Sequence, residues 1–411
     1  MSGEYKDSGI EWIGQIPKEW SLNRLKFLCT IQTGNKDTQD ATADGIYPFY
    51  VRSPKIECSE TYSFEGEGIL MAGDGVGAGR VFHHAFGKYA VHQRVYRLAN
   101  IRRINSVYLF YYLSNLFCKE MDRGSAQSTV PSVRLPMLQN FMISTPPLSE
   151  QQKIADYLDK VCGEADEMIA LQEKMIEELK AYKQSVITEA VTKGLNPNVP
   201  MKDSGIDWIG EIPEHWNKDK LFRLFRNIGS GTTPNSSDNN AFQGTINWIQ
   251  SGDINGGILC YSKNKISEET LDKYSALSVY KAPFIIVAMY GASVGNISIS
   301  QIDGCVNQAC CVLSDSNIDF FFAFYAIKAA QSYLIYKAVG GGQPNISQNT
   351  LKQLWITKPS LSEQQSIASY LDTKCSDIDS LIAVKQQKIE ELKEYKKSII
   401  YEYVTGKKEV V

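Results

Sequence analysis

The run Gly73-Asp-Gly-Val-Gly-Ala-Gly79 is the most phosphate-like element of this 411-residue sequence. A dinucleotide loop needs G-x-G-x-x-G at the start of a helix, so that backbone amides and the helix dipole meet the pyrophosphate. Here Ala78 and Arg80 fall where the last glycine belongs, and the residues beyond read as a strand. No G-x-x-x-x-G-K-[ST] loop occurs either, which excludes the usual ATP cradle. The four histidines, His83, His84, His92 and His215, have no metal spacing. Nine cysteines occur without a C-x-x-C pair, the pattern of reduced thiols rather than of a disulfide frame or zinc site. A DNA amino-methylase would need an Asn/Asp-Pro-Pro-aromatic loop to hold a flipped base. The one candidate, Thr145-Pro146-Pro147-Leu148, lacks both the amide and the ring. The sequence therefore reads as non-catalytic by itself, with no cofactor and no metal.

What the sequence does offer is polar loops. TGNKDTQD (33–40), GDGVGAGR (73–80) and GSAQSTVPSVR (124–134) fall in one block, GSGTTPNSSDNN (229–240) and GGGQPNIS (340–347) in another. Asn and Gln can pair bidentately with adenine and Arg with guanine, while glycines admit backbone amides to phosphate. The candidates for DNA contact are Asn35, Lys36, Arg52, Arg80, Gln127 and Arg134 in the first block. In the second they are Thr232, Thr233, Asn235, Tyr290, Ser293, Gln343 and Asn345. The formal net charge of −3 hides an uneven distribution. Residues 21–147 carry 14 basic against 10 acidic side chains, and 217–360 carry 12 against 9. Residues 148–192 carry 5 against 10, and 361–405 carry 6 against 8. Basic character thus collects in the loop-bearing blocks.

These blocks sit in a duplicated frame. KDSGIEWIGQIPKEW from Lys6 returns as KDSGIDWIGEIPEHW 196 positions later, and LSEQQKIADYLDK from Leu148 returns as LSEQQSIASYLDTK 213 positions later. The material between the repeated frames has diverged and grown by 17 residues. Ser149 with Gln152, and Ser362 with Gln365, have capping-box spacing, and Pro146, Pro147 or Pro359 block any helix upstream. Beyond each cap the pattern predicts a long helix. In the first, Ile154, Val161, Met168, Met175 and Tyr182 step by seven, interleaved with Leu158, Ala165, Gln172, Leu179 and Val186. In the second, Leu371, Ile378, Leu392 and Ile399 interleave with Ile367, Leu381 and Tyr395, interrupted by Lys374, Lys385 and Lys388. Each helix lacks a partner of its own, so the two are expected to pack on each other as a rod of roughly 60 Å. Gly194 and Gly406 mark the helix ends. A pseudo-two-fold would also bring the end of the second helix close to the first KDSGI motif, and residues 1 and 411 close to each other.

The fold class expected is α+β: two mixed α/β domains separated by two long helices packed as an antiparallel coiled coil. The expected bounds are 1–147, 148–193, 194–360 and 361–411. Strands are predicted at Gly68–Ala72, Arg80–Phe82, Ala90–Leu98, Phe284–Met289 and Cys305–Leu313, with helices at Ser106–Phe117 and Phe320–Tyr336. Shared ancestry shows in Thr33-Gly34 against Ser230-Gly231, Gly75 and Gly79 against Gly291 and Gly295, Gln93 against Gln308, and Gln127 against Gln343. The N-terminus carries no secretory pattern and no apolar run is long enough for a membrane span, so a cytoplasmic chain without membrane contact is expected. From the residues alone three readings stand: a DNA binder, a coiled-coil interaction adaptor without DNA recognition, and a free-standing DNA enzyme.

The paired motifs select among them. The two KDSGI-[ED]-WIG segments, the two LSEQQ-x-IA-x-YLD helices and the IEELK-x-YK-x-S-[VI]-I endings resemble the specificity subunit of type I restriction–modification systems, across essentially the whole chain. The TGNK and SGTTP openings, the V-x-Q strand and the GGGQPNIS loop are similar to that family's target-recognition domains, although the first domain has GSAQSTV in place of the last. The resemblance implies that each target-recognition domain reads one half of a bipartite, asymmetric site on double-stranded DNA. It implies that the helices set the spacer and dock two methyltransferase subunits, with Ile154, Leu158, Leu179, Tyr182, Ile367, Leu371, Leu392 and Tyr395 as docking positions. Those partners methylate adenine N6 with S-adenosylmethionine, and ATP-driven restriction subunits can join them. The chain itself is then non-catalytic.

Overall fold

The computed structural model describes residues 4–124, 131–235, 237–291, 293–338 and 345–410. The chain divides into two compact units, Met1–Lys174 with Lys385–Val411, and Met175–Val384. Among the described residues no helix is long and apolar enough to cross a membrane.

In the first unit the KDSGI segment forms a hairpin, Tyr5–Asp7 against Gln15–Pro17. Asp7 Oδ1 accepts from the Gly9 amide, and Gly9 takes φ +70°, a left-handed conformation that glycine adopts without a Cβ penalty. The hairpin delivers Trp20, 1% exposed, into the core. Ser21–Arg24 then pairs with Met142–Thr145, so the domain closes where it began. Between them lie two four-stranded sheets. One orders Thr30–Thr33, Val95–Ala99, Gly68–Ala72 and Phe82–Ala85, all antiparallel; the other orders Glu57–Ser59, Tyr47–Tyr50, Lys88–Val91 and Phe64–Glu65. The helix Ser106–Gly124 covers the core with Tyr108, Leu109, Tyr112, Leu113, Leu116 and Phe117, an i, i+3/i+4 face entirely buried.

The second unit repeats the plan. Met201–Asp203 pairs with Glu211–Pro213, and Asn217–Lys220 with Trp355–Lys358. A five-stranded sheet contains Phe225–Ser230, Cys310–Ser316, Phe284–Ala288, Ile297–Ser300 and Ile258–Leu259, beside a three-stranded one of Asn264–Ile266, Ile246–Ile249 and Cys305–Val306. The helix expected over 320–336 is two, Phe320–Ala329 and Gln331–Tyr336, meeting at Ala330.

Three strand expectations are corrected. Arg80 lies in a turn and the strand is Phe82–Ala85. The run 90–98 is two strands from different sheets, Lys88–Val91 and Val95–Ala99, and 305–313 breaks in the same way after Val306. The V-x-Q residues are thus a crossing point between sheets rather than a strand.

The long helices run Leu148–Lys193 and Leu361–Val404. Their starts correct the capping boxes expected at Ser149/Gln152 and Ser362/Gln365. Gln152 instead bonds Asp156 and Asn105. In the second helix the box is Ser360 with Glu363: the Ser360 hydroxyl accepts from the Glu363 amide and the Glu363 carboxylate from the Ser360 amide. The neighbouring glutamines explain the motif. Gln151, 1% exposed, donates to the Pro146 carbonyl (2.7 Å) and accepts from the Asn105 amide (2.7 Å). Gln364 does the same with Pro359 (2.8 Å) and Asp319 (2.7 Å). Each tethers a long helix to the start of its unit's core helix.

The helices pair in both units. In the first, Tyr157 meets Tyr403, Lys396 Nζ meets Asp166 Oδ1 at 2.5 Å and Lys385 Nζ meets Gln172 Oε1 at 3.3 Å, an antiparallel order. In the second, Lys183 meets Asp379 at 2.6 Å, the same ion pair with the two helices exchanged. Only one row of each expected seam is right. Leu158, Ala165, Gln172, Leu179 and Val186 face inward, as do Leu371, Ile378, Leu392 and Ile399, with Lys385 among them. The other row is displaced by one residue, to Ala155, Cys162, Ile169, Ile176, Lys183 and Ala190, and to Ala368, Cys375, Ile382, Ile389, Lys396 and Tyr403. Met168 and Tyr182 are 54% and 58% exposed, Leu381 and Tyr395 52% and 49%.

Each unit's core is completed by the far end of the other repeat's helix. Ile399, Ile400, Tyr403 and Val404 are buried in the first unit's core; Ile187, Ala190 and Val191 are buried in the second's. Ser144 Oγ donates to the Val404 carbonyl at 2.8 Å, and Thr357 Oγ1 to the Val191 carbonyl at 2.5 Å. Tyr401 and Lys407 also bond the carbonyls of Trp12 and Gln15. The expected closeness of the second helix's end to the first motif holds for these residues, while residues 1 and 411 lie outside those described.

Candidate nucleic-acid interface

In each unit the glycine loops, the V-x-Q crossing and the opening of the domain come together. In the first, the Gln93 amide donates to the Lys36 carbonyl (2.7 Å) and its side chain to Asp37 Oδ2 (2.8 Å). Gly34 lies so close to this crossing that a Cβ would collide with the Val91 carbonyl. In the second, Thr233 Oγ1 donates to Gln308 Oε1 at 2.5 Å, and a Cβ on Gly231 would collide with the Val306 carbonyl. The T-G/S-G pair is therefore a close-approach requirement shared by both copies.

The glycine loop lies alongside. Gly75 and Gly79 have φ +75° and +64°, Gly291 and Gly295 +85° and +80°. Asp74 bridges backbone to backbone with Ser132, and Tyr290 with Asn345, so the same two loops are zipped together in each unit. The sequence candidates distribute as follows. Asn35 is exposed at the rim, and Lys36 is half-buried, bonded to Thr61 at 2.6 Å and 3.8 Å from Asp40. Arg52 Nη1 holds Asp74 Oδ1 at 3.0 Å. Arg80 is drawn to Asp122 on the core helix at 2.6 Å, and Arg134 stands exposed before the helix Leu135–Asn140. Thr232 offers its carbonyl to the Trp248 indole, and the Asn235 amide donates to the Tyr274 hydroxyl. Ser293 and Tyr290 are half-buried and Asn345 is exposed. Gln127 and Gln343 lie outside the described residues.

A cleft of about 410 Å³ opens between Thr38, Arg52, Asp74, Gly75–Gly77 and His92. Burial works to raise the Asp74 pKa, but hydrogen bonds from Arg94 and Arg52 outweigh it and hold the carboxyl below its ordinary value. Burial, and then the Arg52 charge, hold His92 below its ordinary value against the pull of Asp37 and Asp74. The second unit presents Thr233, Gln308 and Tyr290 instead, with burial raising the pKa of the Tyr290 hydroxyl. Both faces are polar, backbone-rich rims of the kind that meets base edges and phosphates.

A family model described as "Type I restriction modification DNA specificity domain" matches residues 17–181 and again 213–394. The chain belongs to this family, and its role is DNA sequence specificity. The type I restriction enzyme MjaVIII specificity subunit of Methanocaldococcus jannaschii is 28% identical over 420 residues, covering 96% of this chain and 94% of that relative. The putative MjaX specificity subunit of the same organism is 26% identical, covering 96% and 95%. In structure, a chain described in connection with complex assembly and conformational transition of the type I R-M system is similar, with TM-score 0.69 over 95% of this chain and 98% of that one. At 17% identity this likeness speaks to fold alone.

Sequence reasoning missed several residues of these rims. Gln93 and Gln308 were visible as a repeated pair, but a strand would have hidden one side of them; the break leaves both exposed. Asp74 and Arg94 carried no signal beyond their neighbours. Of the eight helix positions expected to dock partners, Ile154, Leu158, Ile367 and Leu371 are at most 2% exposed within their own cores. They seat the helix on its own domain and are corrected on that ground. Leu179 and Leu392 lie half-buried in the seam, and Tyr182 and Tyr395 are exposed.

Proposed function

We propose that each unit of this type I specificity chain reads one half of a bipartite, asymmetric site on double-stranded DNA. The carrying observation is that one backbone frame, zipped in the same way by Asp74–Ser132 and Tyr290–Asn345, bears unlike side chains in the two units. Equal frames give each reader the same approach to the duplex, and unequal side chains give it a different half-site. Within these rims Asn35, Lys36, Arg80, Arg134, Thr232, Thr233, Asn235, Tyr290, Ser293 and Asn345 remain the proposed contacts, with Arg52 holding Asp74 among them.

The long helices set the length of an unread spacer and dock the methyltransferase subunits that modify adenine, so the chain itself stays non-catalytic. Exposed apolar positions support two such partners. Met168, Leu171 and Tyr395 in the first unit are matched 213 residues away by Leu381, Val384 and Tyr182 in the second, all between 49% and 64% exposed. Soluble monomers seldom leave such repeated apolar positions uncovered. Exchanging residues 217–360 for those of another specificity chain, with the methyltransferase co-expressed, should change one half-site of the methylated motif and leave the other and the spacer as they were. A change in both half-sites would refute independent reading.

A further inference from the structure

Among the described residues the first unit carries a charged device that the second lacks. Asp74 is clamped between two guanidiniums: Arg52 Nη1 takes Oδ1 at 3.0 Å and Arg94 Nη1 takes Oδ2 at 2.6 Å. Each oxygen thereby accepts from one arginine. The Asp74 side chain is 18% exposed, whereas Arg52 and Arg94 are 42% and 60% exposed beside the glycine loop. The register of the second unit shows what replaces them. Phe49 aligns with Ala90 as Trp248 aligns with Cys305, which sets Ser251 against Arg52. The shared backbone bridges set Tyr290 against Asp74. The residue after the crossing glutamine is Arg94 in one unit and Ala309 in the other. A net positive pair held on a carboxylate has become three uncharged residues.

We infer that the Arg52–Asp74–Arg94 clamp reads guanine in the half-site of the first unit, with Arg94 as the base-reading side chain. Arg52 and Asp74 act as positioning residues. A guanidinium is planar and carries five N–H donors in a fixed fork. Arg94 spends Nη1 on Asp74, which leaves donors for the O6 and N7 acceptors that only guanine presents together in the major groove. Fixing a long side chain before DNA arrives removes the rotamer freedom that recognition would otherwise cost. Two guanidiniums outweigh one carboxylate, and they are the more exposed groups, so the clamp presents donors to the groove and favours guanine over its complement. In the second unit Gln308, exposed on the equivalent rim, has no such charge beside it, and guanine selection of this kind belongs to the first half-site alone.

The inference rests on the first unit being a half-site reader, and the experiment separates the two. The full chain is expressed with its methyltransferase partner in a host lacking other adenine methylation, and methylated adenines are mapped for wild type, Arg94→Ala, Arg94→Lys, Asp74→Ala and Gln308→Ala. Absence of any bipartite motif in wild type would sink the reading of function itself. With a motif present, Arg94→Ala should relax one G·C position of one half-site, lowering its discrimination roughly 5- to 150-fold. Arg94→Lys should not restore it, since an ammonium lacks the fork. Asp74→Ala should relax the same position less, and Gln308→Ala should alter only the other half-site. A uniform fall in methylation at all sites in Arg94→Ala with the motif unchanged would make Arg94 a phosphate contact and overturn the assignment, and full rescue by lysine would overturn the role given to the guanidinium fork. A wild-type motif with no guanine in the half-site that responds to Arg94 would do the same.

Discussion

Ending the chain after Val384 should unfold the first unit and spare the second. The last 27 residues contribute Ile399, Ile400, Tyr403 and Val404 to the first unit's core, none more than 8% exposed. Burying such a side chain is worth about 1.5–3 kcal/mol, so the four together are worth roughly 6–12 kcal/mol, an upper figure because unfolded chains already bury some surface. The Val404 carbonyl also accepts from Tyr108 (3.0 Å) and Ser144 (2.8 Å), both buried. Orphaning the Ser144 hydroxyl costs about 1–3 kcal/mol, whereas Tyr108 keeps the Ser144 carbonyl at 2.8 Å. A domain's whole stability is about 5–15 kcal/mol, so the first unit should not survive. Hydrogen exchange read by mass spectrometry follows each unit separately. Gly68–Ala72 and Ser106–Phe117 should lose protection in the truncated chain while Phe284–Ala288 keeps it, and Val404→Ala should weaken the first unit without abolishing it. Full protection of Gly68–Ala72 in the truncated chain would refute the reasoning, because it would mean that the distant helix end adds nothing to that core.

Three further outcomes are expected. Glu363 is worked upward by burial but brought down to about 2 by hydrogen bonds from Ser360, Trp216 and His215. A carboxyl depressed in the folded state adds stability above its ordinary value of 4.5 and loses it as pH falls toward about 2. Its counterpart Glu150 is instead raised, by burial that the Trp20 bond only partly opposes, and so costs stability as pH rises through its titration. Pro147 stands where Ser360 supplies the hydroxyl, so Pro147→Ser should lower the Glu150 titration seen by carboxyl NMR; an unmoved titration would clear the hydroxyl of that role. Gln151→Leu and Gln364→Leu should each cost about 2–6 kcal/mol by orphaning two buried backbone groups, and a loss below 1 kcal/mol in denaturant titration would show that those groups find other partners. Finally, Lys183→Asp or Asp379→Lys alone should weaken the helix pairing and the double exchange recover it, with a coupling of about 0.2–1 kcal/mol because the Asp379 side chain stays 59% exposed. A cycle showing no coupling would demote the contact to coincidence.

The duplication, the long helices and the α+β class were legible because repeated motifs and heptads are local signals. The seam was half legible, because a four-three alternation runs equally well through 154, 161, 168, 175 and 182 or through 155, 162, 169, 176 and 183. Hydrophobicity favoured Met168 and Tyr182, yet small Ala155 and Cys162 are what lets the helices approach, and Lys183 enters the seam because Asp379 meets it. The capping boxes failed for a related reason: Ser149 and Gln152 had the right spacing, but Asn105, distant in sequence, claims both glutamines. The break inside the V-x-Q run was illegible because local strand propensity on either side does not reveal that the two halves belong to different sheets. The Arg52–Asp74–Arg94 clamp assembles residues 20 and 22 positions apart, which no local pattern announces.

The central claim is that two unlike readers on one repeated frame sample a single duplex. Mapping methylated adenines in a cell that holds only this chain and its methyltransferase tests it most directly. The account predicts one motif with two short, different half-sites and a spacer of constant length and free sequence. A continuous motif, two identical half-sites, or a spacer of variable length would contradict it.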